Sequence, residues 1–190
     1  MSSMHDDKTL VAKALKGDRK AFEMIVLRYE QPLVSYFGRI VGNREQALDF
    51  AQDVFLKVHS SLDSFRPAFK FSTWLFKIAS NHLIDHWRRK KIGTVSIDQP
   101  FDDGEGCLTL QVRDPGPSTE RSYELSEIRA KIEAALERIP PVLRELFVLR
   151  HVNEFSYEEI ADIKGLPVGT VKNKVFQAKE LVRDLLVEAS

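Results

Sequence analysis

The sequence predicts an all-α protein: two small helical domains joined by a flexible acidic linker. Three observations predict this. Apolar residues recur at three- and four-residue steps through both ends of the chain, the spacing of helices with one buried face. Residues 92–122 lack that periodicity and hold Pro100, Gly104, Gly106, Pro115, Gly116 and Pro117 among Asp98, Asp102, Asp103, Glu105 and Asp114, the composition of a linker. No segment alternates in the two-residue manner of strands, and no repeat of useful length is present. The expected units are therefore residues 1–91, a linker at 92–122, and residues 123–190.

In the first unit, a short helix carries Leu10, Val11, Ala14 and Leu15. Asp18 is placed to cap the next helix, which continues with Phe22, Ile25, Val26, Tyr29, Leu33 and Phe37. Pro32 is expected to bend or break it. A third helix at 44–61 buries Ala47, Leu48, Ala51, Val54, Phe55 and Val58 and exposes Asp49, Gln52, Asp53 and Lys57. A fourth, from about 72 to 91, carries Trp74, Leu75, Ile78, Ala79, Leu83 and Trp87 and ends in the basic run Arg88, Arg89, Lys90, Lys91. Between the third and fourth helices the residues 65–71 have no periodicity. Their aromatics stand among Arg66 and Lys70. Aromatics interleaved with cations suit single-stranded nucleic acid, because bases stack on the rings while cations follow the backbone. Packing into a small core explains the same residues equally well at 65–71, and better at Leu75, Ile78 and Trp87.

In the second unit, residues 156–186 read SYEEIADIKGLPVGTVKNKVFQAKELVRDLL. Ser156 is placed to cap a helix, with Glu159 as its capping-box partner. Gly165 and Pro167 punctuate a turn. The small Ala161 and Gly165 and the apolar Val171 fall where two crossing helices need close packing. Val168, Val171, Val175, Ala178, Val182 and Leu185 share one face of the second helix, and Lys172, Asn173, Phe176 and Gln177 share another. This is the pattern of a helix-turn-helix, whose second helix enters the DNA major groove. Lys, Asn and Gln can bond base edges, and Phe can touch a thymine methyl. Lys174, Lys179 and Arg183 flank that face as phosphate binders. An amphipathic helix with a solvated basic side is the plainer reading; the turn chemistry favours DNA.

Composition sets limits. Lys+Arg and Asp+Glu balance at 28 each, so any nucleic-acid surface comes from local segregation of charge. The single cysteine, Cys107, excludes an internal disulfide and a cysteine-based zinc site. A reducing compartment is expected, with no signal peptide and no apolar run of the roughly 20 residues that span a bilayer. The expectation is a cytoplasmic protein.

The chain resembles the extracytoplasmic-function sigma factors of bacterial RNA polymerase. The first unit resembles sigma region 2 in ALDFAQDVFLKV, SLDSF and FSTWLFKIASNHLIDHWRR, and the second resembles region 4 in LRELFVLRHVNEFSYEEIADIKGLPVGTVKNKVFQAK. The resemblance implies a promoter-specificity subunit without catalytic activity, cofactor or metal. Its implied partners are core RNA polymerase, promoter DNA and an anti-sigma factor, with no membrane insertion of its own. It implies that Asp49, Gln52 and Asp53 grip the polymerase clamp. It places Phe65, Phe71, Trp74 and Asn81 at the minus-ten single strand, where a base is flipped out and held. Arg88, Arg89 and Lys90 would hold the upstream duplex. Lys172, Asn173, Phe176 and Gln177, flanked by Lys174 and Lys179, would read the minus-thirty-five element. The linker would thread the RNA-exit path.

Four positions depart from the family. Asn173-Lys174 replaces a common Ser-Arg, Gln177 a common Arg, and Asp53 a common Glu. Gln prefers adenine and Arg guanine, so the promoter sequence does not transfer from relatives. Two other classes match parts of the sequence. His82, Asp85 and His86 lie at helical spacing for one metal, but no second ligand cluster accompanies them and nearby arginines repel a divalent cation. An operator-binding regulator would use the helix-turn-helix alone, and such proteins dimerise to match half-sites; no dimer seam is evident. A redox role for Cys107 is weaker than an inert linker thiol.

Overall fold

The computed structural model describes residues 6–93 and 120–188, with the side chains of 90–93, 120–126 and 129 outside that description. Among these residues lie eight α-helices and no strand. The first half holds α1 (Asp7–Ala14), α2 (Arg19–Val41), α3 (Arg44–Ser61) and α4 (Phe71–Gly93), with one 3-10 turn at Leu62–Ser64. The second half holds α5 (Glu120–Arg138), α6 (Pro141–His151), α7 (Tyr157–Lys164) and α8 (Val168–Glu188). Helices therefore occupy both ends of the expected linker. Its interior, with Cys107, lies outside the described residues.

Local chemistry fixes the helix ends. The Asp18 carboxylate accepts from the Ala21 amide at 3.3 Å, and the Asn43 side chain accepts from the Gln46 amide at 3.0 Å, satisfying donors that a helix start leaves free. Helix α2 runs on through Pro32 rather than breaking there. A mid-helix proline costs about 3 kcal/mol. Ile25 and Tyr29 before it and Leu33, Tyr36 and Phe37 after it are all buried on the same helix. Each such side chain contributes about 1.5–3 kcal/mol, so keeping the helix whole wins. On α3 the buried stripe is Ala47, Phe50, Ala51, Val54, Phe55 and Val58. Leu48, expected inside, is 37% exposed, because Phe50 continues the three- and four-residue steps from Ala47 and Leu48 does not.

The turn between α7 and α8 is built as its residues direct. Ser156 Oγ accepts from the Glu159 amide at 3.1 Å, and Glu159 returns a carboxylate to the Ser156 amide at 2.8 Å. Gly165 ends α7 in the left-handed region with φ 63°. A Cβ there would meet nothing within 4 Å. Gly165 therefore serves the backbone turn, not the close helix crossing expected for it; Ala161 and Val171, expected at the same crossing, are buried.

The two halves dock. Helices α2 and α4 of the first half lie against α6 and α7 of the second. The rings of Phe76 and Phe155 meet across this junction at 4.9 Å. Arg39 pairs with Glu133 at 2.8 Å, and Arg144 donates to the Ile40 carbonyl at 3.0 Å.

Left-handed backbone costs an ordinary residue about 1–2 kcal/mol, and asparagine less. Gly165→Ala should therefore lower unfolding free energy by about that amount, and Gly165→Asn by clearly less. Urea titration of the two variants checks this; equal losses would show that space, not backbone conformation, selects glycine.

Candidate nucleic-acid interface

Three helix faces carry the candidate residues, and each is defined by what the same helix buries. On α8, Val171, Val175, Ala178 and Val182 are buried, facing α6 and α7. Lys172, Asn173, Phe176 and Gln177 are exposed together on the opposite side, with Phe176 at 65%. Lys179 is also exposed and Lys174 is half-buried. Arg183 is held by Glu180 at 2.6 Å and Asp184 at 3.2 Å, so its charge is already paired within the helix.

Tyr157, at the start of α7, adds a support that the sequence reading did not single out. The Arg150 guanidinium lies 4.9 Å from its ring centroid and the Lys172 ammonium 5.7 Å. Cations over an aromatic face are attracted to its quadrupole. Arg150 is further fixed by donating to the Phe155 carbonyl at 2.9 Å. One ring thus draws Lys172 and Arg150 to the same edge of the helix-turn-helix.

A second site lies at the start of α4. A cleft of about 330 Å³ is lined by Phe65, Arg66, Phe69, Thr73, Trp74 and Lys77, with Asp162 of α7 at its edge. Phe69 is 56% exposed, while Phe65 and Phe71 are only 6% and 2% exposed. Phe65 packs on Phe71 at 5.4 Å and on Trp74 at 5.6 Å. Of the ring residues, Phe71 supports the cleft from behind, Phe65 and Trp74 form its wall, and Phe69 offers a free face. Thr73 is buried and its Oγ1 has no hydrogen-bond partner among the described residues. Neither Phe69 nor Thr73 was distinguished by periodicity: the loop has none, and Thr73 is one small polar residue in an apolar helix. Trp74, Lys77, Asn81 and Arg88 follow at three-, four- and seven-residue steps along one side of α4. Asn81, Arg88 and Arg89 are exposed there. Arg88 pairs with Asp85 at 3.7 Å and Arg89 donates to the Asp85 carbonyl at 3.3 Å. The side chain of Lys90 lies outside the described residues.

The third face is on α3, where Asp49, Gln52 and Asp53 are exposed. Leu56, one turn further along, is 69% exposed and extends the same stripe. Behind it, His82 of α4 is buried against Phe50, with ring centroids 4.7 Å apart. His82 Nδ1 lies 2.9 Å from Lys57 Nζ, and Nε2 lies 3.7 Å from Asp53. A lysine can only donate, so Nδ1 accepts and the ring proton sits on Nε2, towards Asp53. Of the three side chains of the metal alternative, His82 and His86 both pack on Phe50, at 4.7 and 4.8 Å, while Asp85 pairs with Arg88. Among the described residues no group of three or more candidate ligands converges.

Residues 25–92 match sigma-70 region 2, and residues 129–182 match sigma-70 region 4. The chain is 33% identical over 187 residues to the RNA polymerase sigma-H factor of Pseudomonas aeruginosa, covering 96% of this chain and 94% of that protein. It is 34% identical over 186 residues to the ECF RNA polymerase sigma-E factor of Escherichia coli K12, covering 96% and 95%. The chain belongs to the extracytoplasmic-function sigma factors. Its fold also matches the sigma factor RpoE in a co-crystal with the anti-sigma factor NepR from Bartonella quintana, with TM-score 0.71 and 24% identity over 88% of this chain and 97% of that one. As a sigma factor it directs promoter-specific initiation by RNA polymerase and is not an enzyme. Matches to both regions, in order, set aside the reading as an operator-binding regulator. No helix among the described residues of this sigma factor is long and apolar enough to cross a membrane.

Burial, and then the Lys57 ammonium, hold the His82 imidazole below the usual histidine range. Burial and Arg150 lower His151 in the same way. The native protein therefore takes up protons at these rings less readily than the unfolded chain does. Above about pH 6.5 the unfolded chain is neutral at them too, and the stabilisation is complete. As pH falls below that value, the unfolded chain takes up protons that the native state refuses, and stability declines. His82→Asn keeps an acceptor for Lys57 without a titrating ring. It should reduce the fall in urea midpoint between about pH 7.5 and 5.5; a fall as steep as that of the unaltered protein would contradict this account of His82.

Proposed function

We propose that this sigma factor divides its work among the three faces, with residues 1–91 acting as region 2, 92–122 as a tether and 123–190 as region 4. The observation that carries this reading is the joint exposure of Lys172, Asn173, Phe176 and Gln177 on α8, directly opposite its buried valine stripe. A helix so presented can lie in the major groove and reach base edges with four side chains. Lys172 and Gln177 read bases of the minus-thirty-five element, with Asn173 and Phe176 between them. Lys174 and Lys179 hold phosphates.

The cleft at the start of α4 captures an unstacked base of the minus-ten element. Stacking on an exposed ring contributes about 1–3 kcal/mol per base, enough to offset much of the unstacking cost. Phe69 and Trp74 supply the ring surface and Phe65 the wall. Phe71 shapes the wall from behind. Thr73 gives the trapped base a hydroxyl partner, and Asn81 lies along the path of the strand. Arg88, Arg89 and Lys90 follow the upstream backbone. Asp49, Gln52 and Asp53 present an acidic, amide-bearing face to a basic clamp on core polymerase. An anti-sigma factor, the kind of partner named for the Bartonella protein, holds this sigma factor in the cytoplasm until it is needed.

Two experiments test the assignment. Asp49→Lys with Asp53→Lys should abolish association with core RNA polymerase while far-ultraviolet circular dichroism stays unchanged, since exposed substitutions cost little stability. Holoenzyme formation at unaltered affinity would remove the clamp role from this face. On α8, Gln177→Ala should cost about 1–3 kcal/mol on the preferred promoter and relax the choice at one base. Lys179→Ala should instead weaken all promoters evenly and lower the salt slope by about one ion. Holoenzyme binding to minus-thirty-five variants at several salt concentrations separates the two. The reverse pattern would mean that α8 sits in the groove in a different rotation.

A further inference from the structure

Lys57 stands on α3 beside the acidic face, yet its charge goes elsewhere. It follows Asp53 by four residues. The two therefore share one side of the helix, with the acid N-terminal to the base, the favourable order for a surface ion pair. In the structure Lys57 does not pair with Asp53. Its ammonium turns to α4 and donates to His82 Nδ1 at 2.9 Å. The Asp53 side chain stays 58% exposed, with the His82 ring as its ion-pair neighbour.

His82 is well made to hold that lysine. Its side chain is buried, and its ring meets the rings of Phe50 at 4.7 Å and Phe37 at 6.3 Å, both edge to face, which fixes its orientation. Burial, and then the ammonium itself, disfavour the charged ring, so Nδ1 keeps a lone pair to accept with. The other nitrogen, Nε2, lies 3.7 Å from Asp53 Oδ2, near enough to attract the carboxylate and too far to bond it. Nε2 has no hydrogen-bond partner among the described residues. One ring thus takes the lysine on one side and leaves the carboxylate unbonded on the other.

We propose that His82 is a positioning residue for polymerase binding: by accepting from Lys57 it keeps that ammonium off Asp53 and leaves the acidic face of α3 unneutralised for a basic clamp. This rests on the reading of that face given above. His82 is buried and acts through Lys57. Without the acceptor, Lys57 has Asp53, one turn back on its own helix, as a counter-charge. A cationic side chain of the clamp must then displace it. Exposed ion pairs are weak, so the ring tunes the affinity for core enzyme and does not switch it on or off.

The test is the affinity of the full chain for core RNA polymerase, measured by competition with a fluorescently labelled, unaltered chain. His82→Phe keeps a ring against Phe50 and removes the acceptor. It should bind core enzyme roughly two- to fivefold more weakly. Adding Lys57→Met should restore the affinity, a rescue that a merely structural role of His82 would not produce. His82→Asn, which keeps an acceptor for Lys57, should bind as the unaltered chain does. His82→Leu carries the same test should His82→Phe fail to fold. A folded variant that lacks the acceptor and binds core enzyme normally would overturn the proposal, as would a loss that Lys57→Met leaves in place. Asp53→Asn separates this role from the face it serves. If Asp53→Asn binds core enzyme normally, the face itself is misassigned and the role of His82 falls with it. If Asp53→Asn weakens binding while His82→Phe does not, the role of His82 alone is overturned.

Discussion

The burial of one stripe on each of α3, α4 and α8 is the constraint on which the rest of this structure depends. A helix of 3.6 residues per turn that buries every third and fourth residue can offer only the remaining face. On α8 the buried face is Val171, Val175, Ala178 and Val182, which leaves Lys172, Asn173, Phe176 and Gln177 exposed on the opposite side. On α3 the stripe from Ala47 to Val58 leaves Asp49, Gln52 and Asp53 outward. Losing two such valines would cost several kcal/mol, a large part of the stability of a small domain. The functional faces are thus held in place by the core and not by contacts among themselves.

Where the core does not impose a stripe, polar chemistry takes over. The junction between the halves is closed by ions and hydroxyls, with Glu145, Lys164, Ser80 and Tyr36 at its centre. The apolar Phe76–Phe155 contact lies at the same seam.

The parts legible in the sequence are those set by local chemistry or by period. Asp18, Asn43, Ser156 with Glu159, and Gly165 all act within four residues of themselves. The first, third and fourth of these were read as they stand, though the reason for Gly165 was backbone conformation and not packing. Period placed the α8 faces and nearly all of the α3 stripe; Leu48 and Phe50 were exchanged because both are large and apolar and lie two residues apart. Of the two outcomes expected at Pro32, the break is the one excluded, because a local cost was outweighed by burial along the whole of α2. The cleft at α4 was legible only in part. Aromatic and basic composition pointed to residues 65–71, but which ring faces solvent depends on how the loop folds against Trp74. Tyr157 as a support for Lys172, and the Glu145 cluster, join residues far apart in sequence, and no periodicity or motif encodes such a meeting.

The central claim is that this one chain gives core polymerase its choice of promoter. The most direct measurement is transcription in vitro from a fragmented genomic library, with purified core enzyme and the purified chain, mapping the start of every transcript. The account predicts a set of starts absent with core enzyme alone, sharing one sequence near minus ten and another near minus thirty-five at a fixed spacing. Starts that match those of core enzyme alone, or that share no upstream sequence, would contradict it.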